Sequence, residues 1–520
     1  MRKQLRTGFE YIERGFDAAF TPQWNPLLQL GALGWFFYWI VVVTGIYLYI
    51  FFDTGIFDAY DSVERLTHEQ WYIGGVMRSL HRYASDAMII VVFLHVLREF
   101  VMDRFRGKRW FAWVTGVALL WLIYASGISG YWMVWDKLAQ YVAVGTAEWF
   151  DALGIFGKPI SRDFLNESTL SSRFFTLLIF IHIAAPLLLL FGMWIHIQRQ
   201  TKPKVNPPIG LAAGTFAMLL AVSFLSPAVS QGRANLDEVP ATIGIDWFYL
   251  FIYPLRDHYS SMMLWGFIIG GTILMGVLPW LPPAKKKQVA EVNLENCNGC
   301  GRCVSDCPTS AVDLAPRTDG LNYEQQAVVN PNVCTSCGIC MGACPTATPF
   351  RRTGNASAGI ELPDHTLEQL KSRVLEQAEK LTGPGTMLVF TCDGGPDVTF
   401  LENRSDAAVI SLPCIGMLPP PFMDYIISRR YASGILFAAC REIDCHYRLG
   451  MRWTDQRINR TRDPYLRNRT PRDRIKTCRC GITETKRLAA EAEEFRKHLL
   501  ELDLAQQAKP VTEEKGFADG

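Results

Sequence analysis

Two apolar stretches of this chain each carry a pair of histidines fourteen residues apart: His81 and His95 within 76–101, His182 and His196 within 174–198. Fourteen residues of α-helix rise about 21 Å and make almost four whole turns. Each pair therefore lies on one face of its helix, one imidazole near either edge of a hydrocarbon layer. Ionisable residues inside membrane spans are rare and usually functional, and here the same interval occurs twice. Two such helices facing each other would make two bis-histidine sites stacked across the membrane. A large planar cofactor with an axially ligated iron, a haem, fits that geometry. Four satisfied core histidines would leave the repeated interval without a cause.

Apolar spans are expected at 30–52, 76–101, 112–134, 174–198, 209–228 and 260–281, each near the ~20 residues a bilayer needs. Basic residues mark alternate loops: Arg2, Lys3 and Arg6; Arg104, Arg106, Lys108 and Arg109; Arg199, Lys202 and Lys204; Lys285–Lys287. The opposite loops carry Asp53, Asp58, Asp61 and Glu64, then Asp151, Asp163 and Glu167, then Asp237, Glu238 and Asp246. By the positive-inside rule, six spans put the N-terminus and everything after residue 285 in the cytoplasm. The polar first twenty residues predict an amphipathic surface helix and no cleavable signal. With 52 basic against 50 acidic residues, charge gives no argument for nucleic acid.

Gly31 and Gly45 on the first span are fourteen apart, and so are Gly116 and Gly130 on the third. Glycines at the histidine interval suggest room for two haem faces. Residues 1–283 resemble cytochrome b of the quinol-oxidising bc complexes. The residues that carry this are the four histidines, the four glycines, RSLHRYAS (78–85), GYWMVW (130–135) and STLSSRFF (168–175). The resemblance implies two haems b: His81 with His182 near the outer surface, His95 with His196 near the cytoplasm. It implies that Arg78 and Arg98 face haem propionates, a pairing that suits a guanidinium. It divides the region into a four-helix haem bundle (1–200) and a two-helix extension of a quinone site (201–285). FLSPAVSQ (224–231) and IDWFYLFIYPLRD (245–257) resemble that extension. The family's Pro-Glu-Trp-Tyr is here Ile245, Asp246, Trp247 and Phe248, so Asp246 takes the place of the carboxylate that accepts a quinol proton. The family further implies a homodimeric core with Rieske-type and cytochrome c subunits.

All 14 cysteines fall between 297 and 480, which points to metal ligation rather than a disulfide framework. Cys297, Cys300, Cys303 and Cys307-Pro308 repeat the spacing of Cys334, Cys337, Cys340 and Cys344-Pro345. Two runs of C-x2-C-x2-C-x3-C-P suit two [4Fe–4S] clusters, the fourth cysteine of each run serving the other cluster. Residues 286–350 thus resemble a bacterial two-cluster ferredoxin, of α+β fold.

After a linker (351–385) with a helix near 364–381, residues 386–480 predict a small α/β domain. MLVFTC (387–392), AAVISLPC (407–414) and GILFAAC (434–440) are strand-type runs ending in cysteine. Sites collect at the carboxyl ends of strands in such sheets, so Cys392, Cys414, Cys440 and Cys445 are expected to converge. AACREIDCHY (438–447) and the cysteine order resemble the iron–sulfur delta subunit that links hydrogenase to heterodisulfide reductase. That resemblance implies a [2Fe–2S] cluster and exchange with a flavoprotein. Gly395 stands where the family has a further cysteine. The many arginines of 451–476 are expected on a solvated face, Cys478 and Cys480 have no assigned role, and 481–520 predict a helix and tail.

The constellation predicts a membrane oxidoreductase of the inner membrane. It would exchange electrons between the quinone pool and cytoplasmic flavoprotein or ferredoxin carriers. The alternative is a cytoplasmic docking or regulatory module attached to an ordinary quinol-oxidation cycle.

Overall fold

The histidine-bearing stretches are long helices. In the computed structural model the described residues are 2–155, 157, 159–160, 172–198, 200–281, 288–350, 356–441 and 445–507. They divide into two units. One comprises Ile12–Gln198 and Pro203–Ala284; the other Met1–Tyr11, Arg199–Lys202 and Lys285–Gly520. Lys285–Lys287, Arg199, Asp163, Glu167 and the tail beyond 507 lie outside the described residues.

The first unit is helical: α1 (Arg2–Trp24, its start in the other unit), α2 (Leu30–Phe51), α3 (Ala59–His68), α4 (Val76–Val101), α5 (Trp110–Val134), α6 (Lys137–Asp151), α7 (Ser172–Ile197), α8 (Ile209–Leu225), α9 (Tyr253–Arg256) and α10 (Ser261–Val277). The main packing is pairwise, α2 on α4 and α5 on α7, so each glycine helix lies against a histidine helix. Tyr38 of α2 donates to the Pro186 carbonyl of α7 at 3.0 Å, and Trp113 of α5 donates to the Met275 carbonyl of α10 at 2.7 Å.

Helices occupy all six stretches expected to span. By length and composition, four of the described helices qualify on their own: Leu30–Phe51, Gly107–Val134, Phe175–Ile197 and Ser261–Trp280. The other two fall short for physical reasons. Helix α4 carries Arg78, Arg82, Asp86, Arg98 and Glu99 besides its histidines, and α8 is only 17 residues long.

The second unit begins with two short antiparallel pairs, β1 (Glu291–Val292) with β4 (Ile360–Glu361) and β2 (Val312–Pro316) with β3 (Gln325–Val329). The five-residue helices α11 (Arg302–Asp306) and α12 (Ile339–Ala343) each follow a glycine in the left-handed region, Gly301 (φ 71°) and Gly338 (φ 73°), and each ends at a cysteine. Helix α13 (Leu367–Ala378), capped by Thr366 and Gln369, buries Leu367, Leu370 and Val374.

Next comes a four-stranded parallel sheet, order β6-β5-β7-β8: β5 (Met387–Cys392), β6 (Ala407–Leu412), β7 (Gly434–Ala439) and β8 (Ile475–Arg479). Every residue of β5 and β7 is buried, as central parallel strands require. Helix α14 (Pro420–Ser428) follows β6, and α15 (Gly450–Ile458) precedes β8. The C-terminal helix α16 (Thr485–Gln507) packs Leu488, Ala492, Phe495 and Leu499 with Met387, Val389, Leu436 and Ala438 of the sheet. Strand β8 and α15 occupy the arginine-rich stretch expected to be a solvated face. Arg452, Arg467, Arg469 and Arg472 are exposed as expected, and Arg457, fully buried, is the exception.

Candidate redox centres

Each of the four expected glycines abuts one of the four histidines. A Cβ on Gly31, Gly45, Gly116 or Gly130 would meet Cε1 of His95, His81, His196 or His182 at 3.5, 3.0, 3.3 and 2.9 Å respectively. The glycines thus let α2 and α5 approach the histidine rings, a packing role beside the one expected of them. Three are preceded by a hydroxyl residue, which sequence reasoning missed. Thr44 Oγ1 lies 3.1 Å from His81 Nδ1, Thr115 Oγ1 3.0 Å from His196 Nδ1, and Ser129 Oγ 3.2 Å from His182 Nδ1.

Each of those hydroxyls also reaches the carbonyl four residues back on its own helix: Ile40, Phe111 and Ala125. With its proton used there, the oxygen accepts from Nδ1–H. His81 Nδ1 also lies 3.0 Å from the Val41 carbonyl and His182 Nδ1 2.9 Å from that of Ser126. Held as Nδ1–H donors, these rings present Nε2 as a free lone pair, the state an iron ligand needs. The rings of His81 and His182 have centroids 6.2 Å apart and planes at 56°. Two axial metal–nitrogen bonds of about 2 Å, with about 1 Å more to each ring centre, span about 6 Å, so this pair fits a bis-imidazole iron.

The expected propionate partners have protein partners of their own. Arg98 Nε donates to Glu13 Oε1 at 2.8 Å, both side chains buried. Arg78 contacts Thr67, Ser230 (2.8 Å) and Glu64 (3.6 Å).

Asp246 sits in a built polar site. Its carboxylate accepts from Arg82 Nη2 at 2.9 Å, from the Phe248 amide at 2.7 Å and from the Tyr131 hydroxyl. The Arg82 guanidinium lies over the Tyr131 ring and also bonds Asp86 at 3.2 Å. Burial works to raise the Asp246 pKa, but Arg82 and the hydrogen bonds from Tyr131 and Phe248 prevail and hold it below the usual carboxylate range.

In the second unit the fourth cysteine of each run crosses to the other run. A cavity is lined by Cys297, Cys300, Cys303 and Cys344. Cys307 lies in the field of Cys337 and Cys340, together with Cys334. Burial and neighbouring sulfurs push the Cys303 thiol up to about 12, so metal binding there must displace a proton. Seven of these eight cysteines are buried and Cys300 is exposed, so one edge of the first group is open to solvent. Cys307 Sγ accepts from the Ala311 amide at 3.1 Å. Two convergent four-sulfur groups fit two [4Fe–4S] cubanes.

Cys392, Cys414, Cys440 and Cys445 also converge. The thiols of Cys414 and Cys440 each hydrogen-bond both Cys392 and Cys445, which depresses the latter two and raises the former two. Among the described residues, no group of His, Cys, Asp or Glu closes as a single metal-ion site. Four sulfurs gathered in this way supply the thiolate donors that an iron–sulfur core takes. A Cβ on Gly450 would lie 2.1 Å from Cys414 Sγ, so only glycine fits beside that sulfur. His446 stacks edge-on against Tyr447.

The groups of the second unit adjoin one another. Cys337, Ile339 and Cys414 share one buried cluster with Leu449 and Trp453. Asp306, next to Cys307, is clamped by Arg457 and Arg462, with Trp453 Nε1 on its carbonyl at 3.2 Å. Thr201 Oγ1 donates to the Cys307 carbonyl at 3.0 Å, and its amide to the Pro308 carbonyl at 3.2 Å. Arg448 holds the Lys202 carbonyl at 2.9 Å.

Comparison with known proteins follows this division. The family model described as cytochrome b/b6/petB matches residues 17–201. Residues 17–201 are therefore similar to the cytochrome b family. A 4Fe-4S dicluster domain matches 280–348, and the delta subunit of methyl-viologen-reducing hydrogenase matches 398–503. Cys392 precedes that last match, although the fold brings it to the other three sulfurs. A cytochrome b of Rhodospirillum rubrum is 25% identical over 296 residues, 50% of this chain and 71% of that protein. A chain of a hyperthermophilic respiratory complex III aligns with 49% of this chain and 75% of its own length, at 20% identity and TM-score 0.39. In order, the chain thus carries regions similar to cytochrome b, to a 4Fe-4S dicluster domain and to a hydrogenase delta subunit, an order that suggests an electron-transfer subunit.

Proposed function

We propose that the chain is a quinol/quinone oxidoreductase subunit that carries electrons between the quinone pool and cytoplasmic iron–sulfur or flavin carriers. His81 with His182 and His95 with His196 would each hold a haem b. Cys297, Cys300, Cys303 and Cys344 would hold one [4Fe–4S] cluster, and Cys334, Cys337, Cys340 and Cys307 the other. Cys392, Cys414, Cys440 and Cys445 would hold a [2Fe–2S] cluster. Six helices, α2, α4, α5, α7, α8 and α10, would cross the inner membrane, with the iron–sulfur domains in the cytoplasm. The charged face of α4 would be covered by its neighbours, and α8 would be completed by flanking residues. A homodimeric core, Rieske-type and cytochrome c subunits, and a soluble flavoprotein or ferredoxin meeting the Cys300 edge belong to the same reading.

The observation that carries it is Thr201. It bonds the Cys307 carbonyl and stands five residues after His196. Five residues, even fully extended, reach no more than about 18 Å. In sequence, then, a candidate haem ligand is followed within five residues by a residue that bonds a candidate cluster ligand. The reading favours a wire over a docking module, since Cys337 and Cys414, from two of the sulfur groups, share one buried cluster, a proximity that serves conduction and that docking does not require.

A redox titration of the purified complex tests it, with optical and paramagnetic detection. Two low-spin b haems and three iron–sulfur signals are expected. In Cys300→Ser, haem reduction by quinol should persist while reduction of the cytoplasmic acceptor falls at least tenfold. Unchanged turnover to that acceptor would restore the docking alternative.

A further inference from the structure

Cys478 and Cys480 lie outside every ligand set above. They stand at the end of β8, two residues apart on the same strand face, 1% and 0% exposed. Their sulfurs are 3.0 Å apart. Cys478 hydrogen-bonds the Glu491 carboxylate of α16, and the cationic Arg487 lies near Cys480. Arg487 in turn donates to Glu491 at 3.1 Å and Glu484 at 2.9 Å. A dithiol with a carboxylate at one sulfur and a guanidinium at the other has a proton acceptor and a thiolate stabiliser in place. The pair is also one strand from the four-cysteine group. Ala439 pairs with Arg479, and the Cys480 amide donates to the Ala439 carbonyl at 2.8 Å, so Cys480 is level with Cys440 on adjacent strands.

We propose that Cys478 and Cys480 are a redox-active dithiol that closes to a disulfide, giving the α/β domain a two-electron, two-proton centre. Closing breaks two S–H bonds and forms one S–S bond. The Cys478 proton passes to Glu491 and the Cys480 proton to water. Two electrons leave, one at a time, to one-electron iron–sulfur acceptors. Burial excludes bulky thiols, so electron transfer through the protein is favoured over exchange with an external disulfide. A site of this kind would let one-electron carriers exchange with a two-electron, proton-coupled partner, and it does not depend on the quinone reading.

The test uses the full-length, cluster-loaded protein poised at a series of potentials with one-electron redox mediators, then acid-quenched and alkylated. Trypsin cuts after Lys476, Arg479 and Lys486. The dithiol therefore releases 477–479 and 480–486 as separate alkylated peptides, and the disulfide ties them together. We expect the linked species to rise with potential along a two-electron curve. Cys478→Ser and Cys480→Ser should each abolish it while leaving iron content and cluster spectra unchanged. Separate, fully alkylated peptides at every potential would overturn the proposal in the wild-type protein alone. Loss of iron or a shifted cluster signal in Cys480→Ser would also overturn it, by making Cys480 a ligand.

Discussion

Gly130 and His182 touch: a Cβ built on the glycine would fall 2.9 Å from the ring's Cε1. At Gly31 the corresponding distance to His95 is 3.5 Å, an ordinary contact. The four glycines should therefore differ in what they tolerate. Gly130→Ala is expected to lose most of the haem proposed at His182 or shift its potential, with packing strain of about 1–3 kcal/mol. Gly31→Ala should keep full haem content. Haem quantification and redox titration of the two variants read this directly; equal behaviour would remove the packing explanation.

Thr201→Val deletes the hydroxyl that bonds the Cys307 carbonyl and Ser310. Each lost hydrogen bond should cost about 1 kcal/mol. Haem-to-cluster electron transfer, followed by stopped-flow absorbance, should slow several-fold with haem and iron content unchanged. A wild-type rate would mean that Thr201 plays no part in the route.

Asp246→Asn is expected to slow quinol oxidation while haem content stays intact, because the carboxylate charge paired with Arg82 is removed. The wild-type carboxyl titrates below its ordinary value near 3.9, so it is already ionised at neutral pH. The pH profile of quinol oxidation should thus show no inflection between 6 and 8 that vanishes in Asp246→Asn. Such an inflection would assign proton uptake to Asp246 itself.

Asp306→Asn leaves Arg457 buried without its counter-charge. Breaking a buried pair from one side costs about 3–5 kcal/mol, so thermal unfolding of the iron–sulfur unit should shift down by several degrees. Arg462→Gln, at the more exposed partner, should cost much less.

Asp503 accepts from the Gly385 amide at 2.9 Å, from Arg474 Nη1 at 2.8 Å and from Ser433. Burial would raise its pKa, but these bonds hold it below the usual range. Its contribution is therefore full above the unfolded pKa near 3.9 and is lost as pH falls through the lower folded value. Asp503→Asn should destabilise the α/β domain by about 1 kcal/mol at pH 7 and by little at pH 2, measured by denaturant unfolding.

Much of this was legible in the sequence because it rests on local periodicity. The fourteen-residue intervals follow from helix pitch alone, and the cubane spacing is a property of short loops. The hydroxyls at Thr44, Thr115 and Ser129 were equally local, each one residue before a glycine, and could have been read from that position. Other features needed the fold. Arg457 looks like a surface charge until Asp306, 151 residues earlier, is brought beneath it. The strand β8 is short and lies between arginines, so no alternation announces it, and the pairing of Cys478 with Cys480 depends on that strand. Helix α4 is the reverse case, since its charges weaken the signal of a span while its histidines reveal its purpose.

Glycine meets glycine where the dicluster and α/β parts join. A Cβ on Gly342 would sit 2.0 Å from the Gly416 carbonyl oxygen, and one on Gly416 would sit 2.8 Å from Gly450 Cα. The two parts are consequently not interchangeable cassettes. A ferredoxin grafted from another source would need a bare backbone at that point to seat at all, and any insulating side chain there would wedge the metal-bearing halves apart.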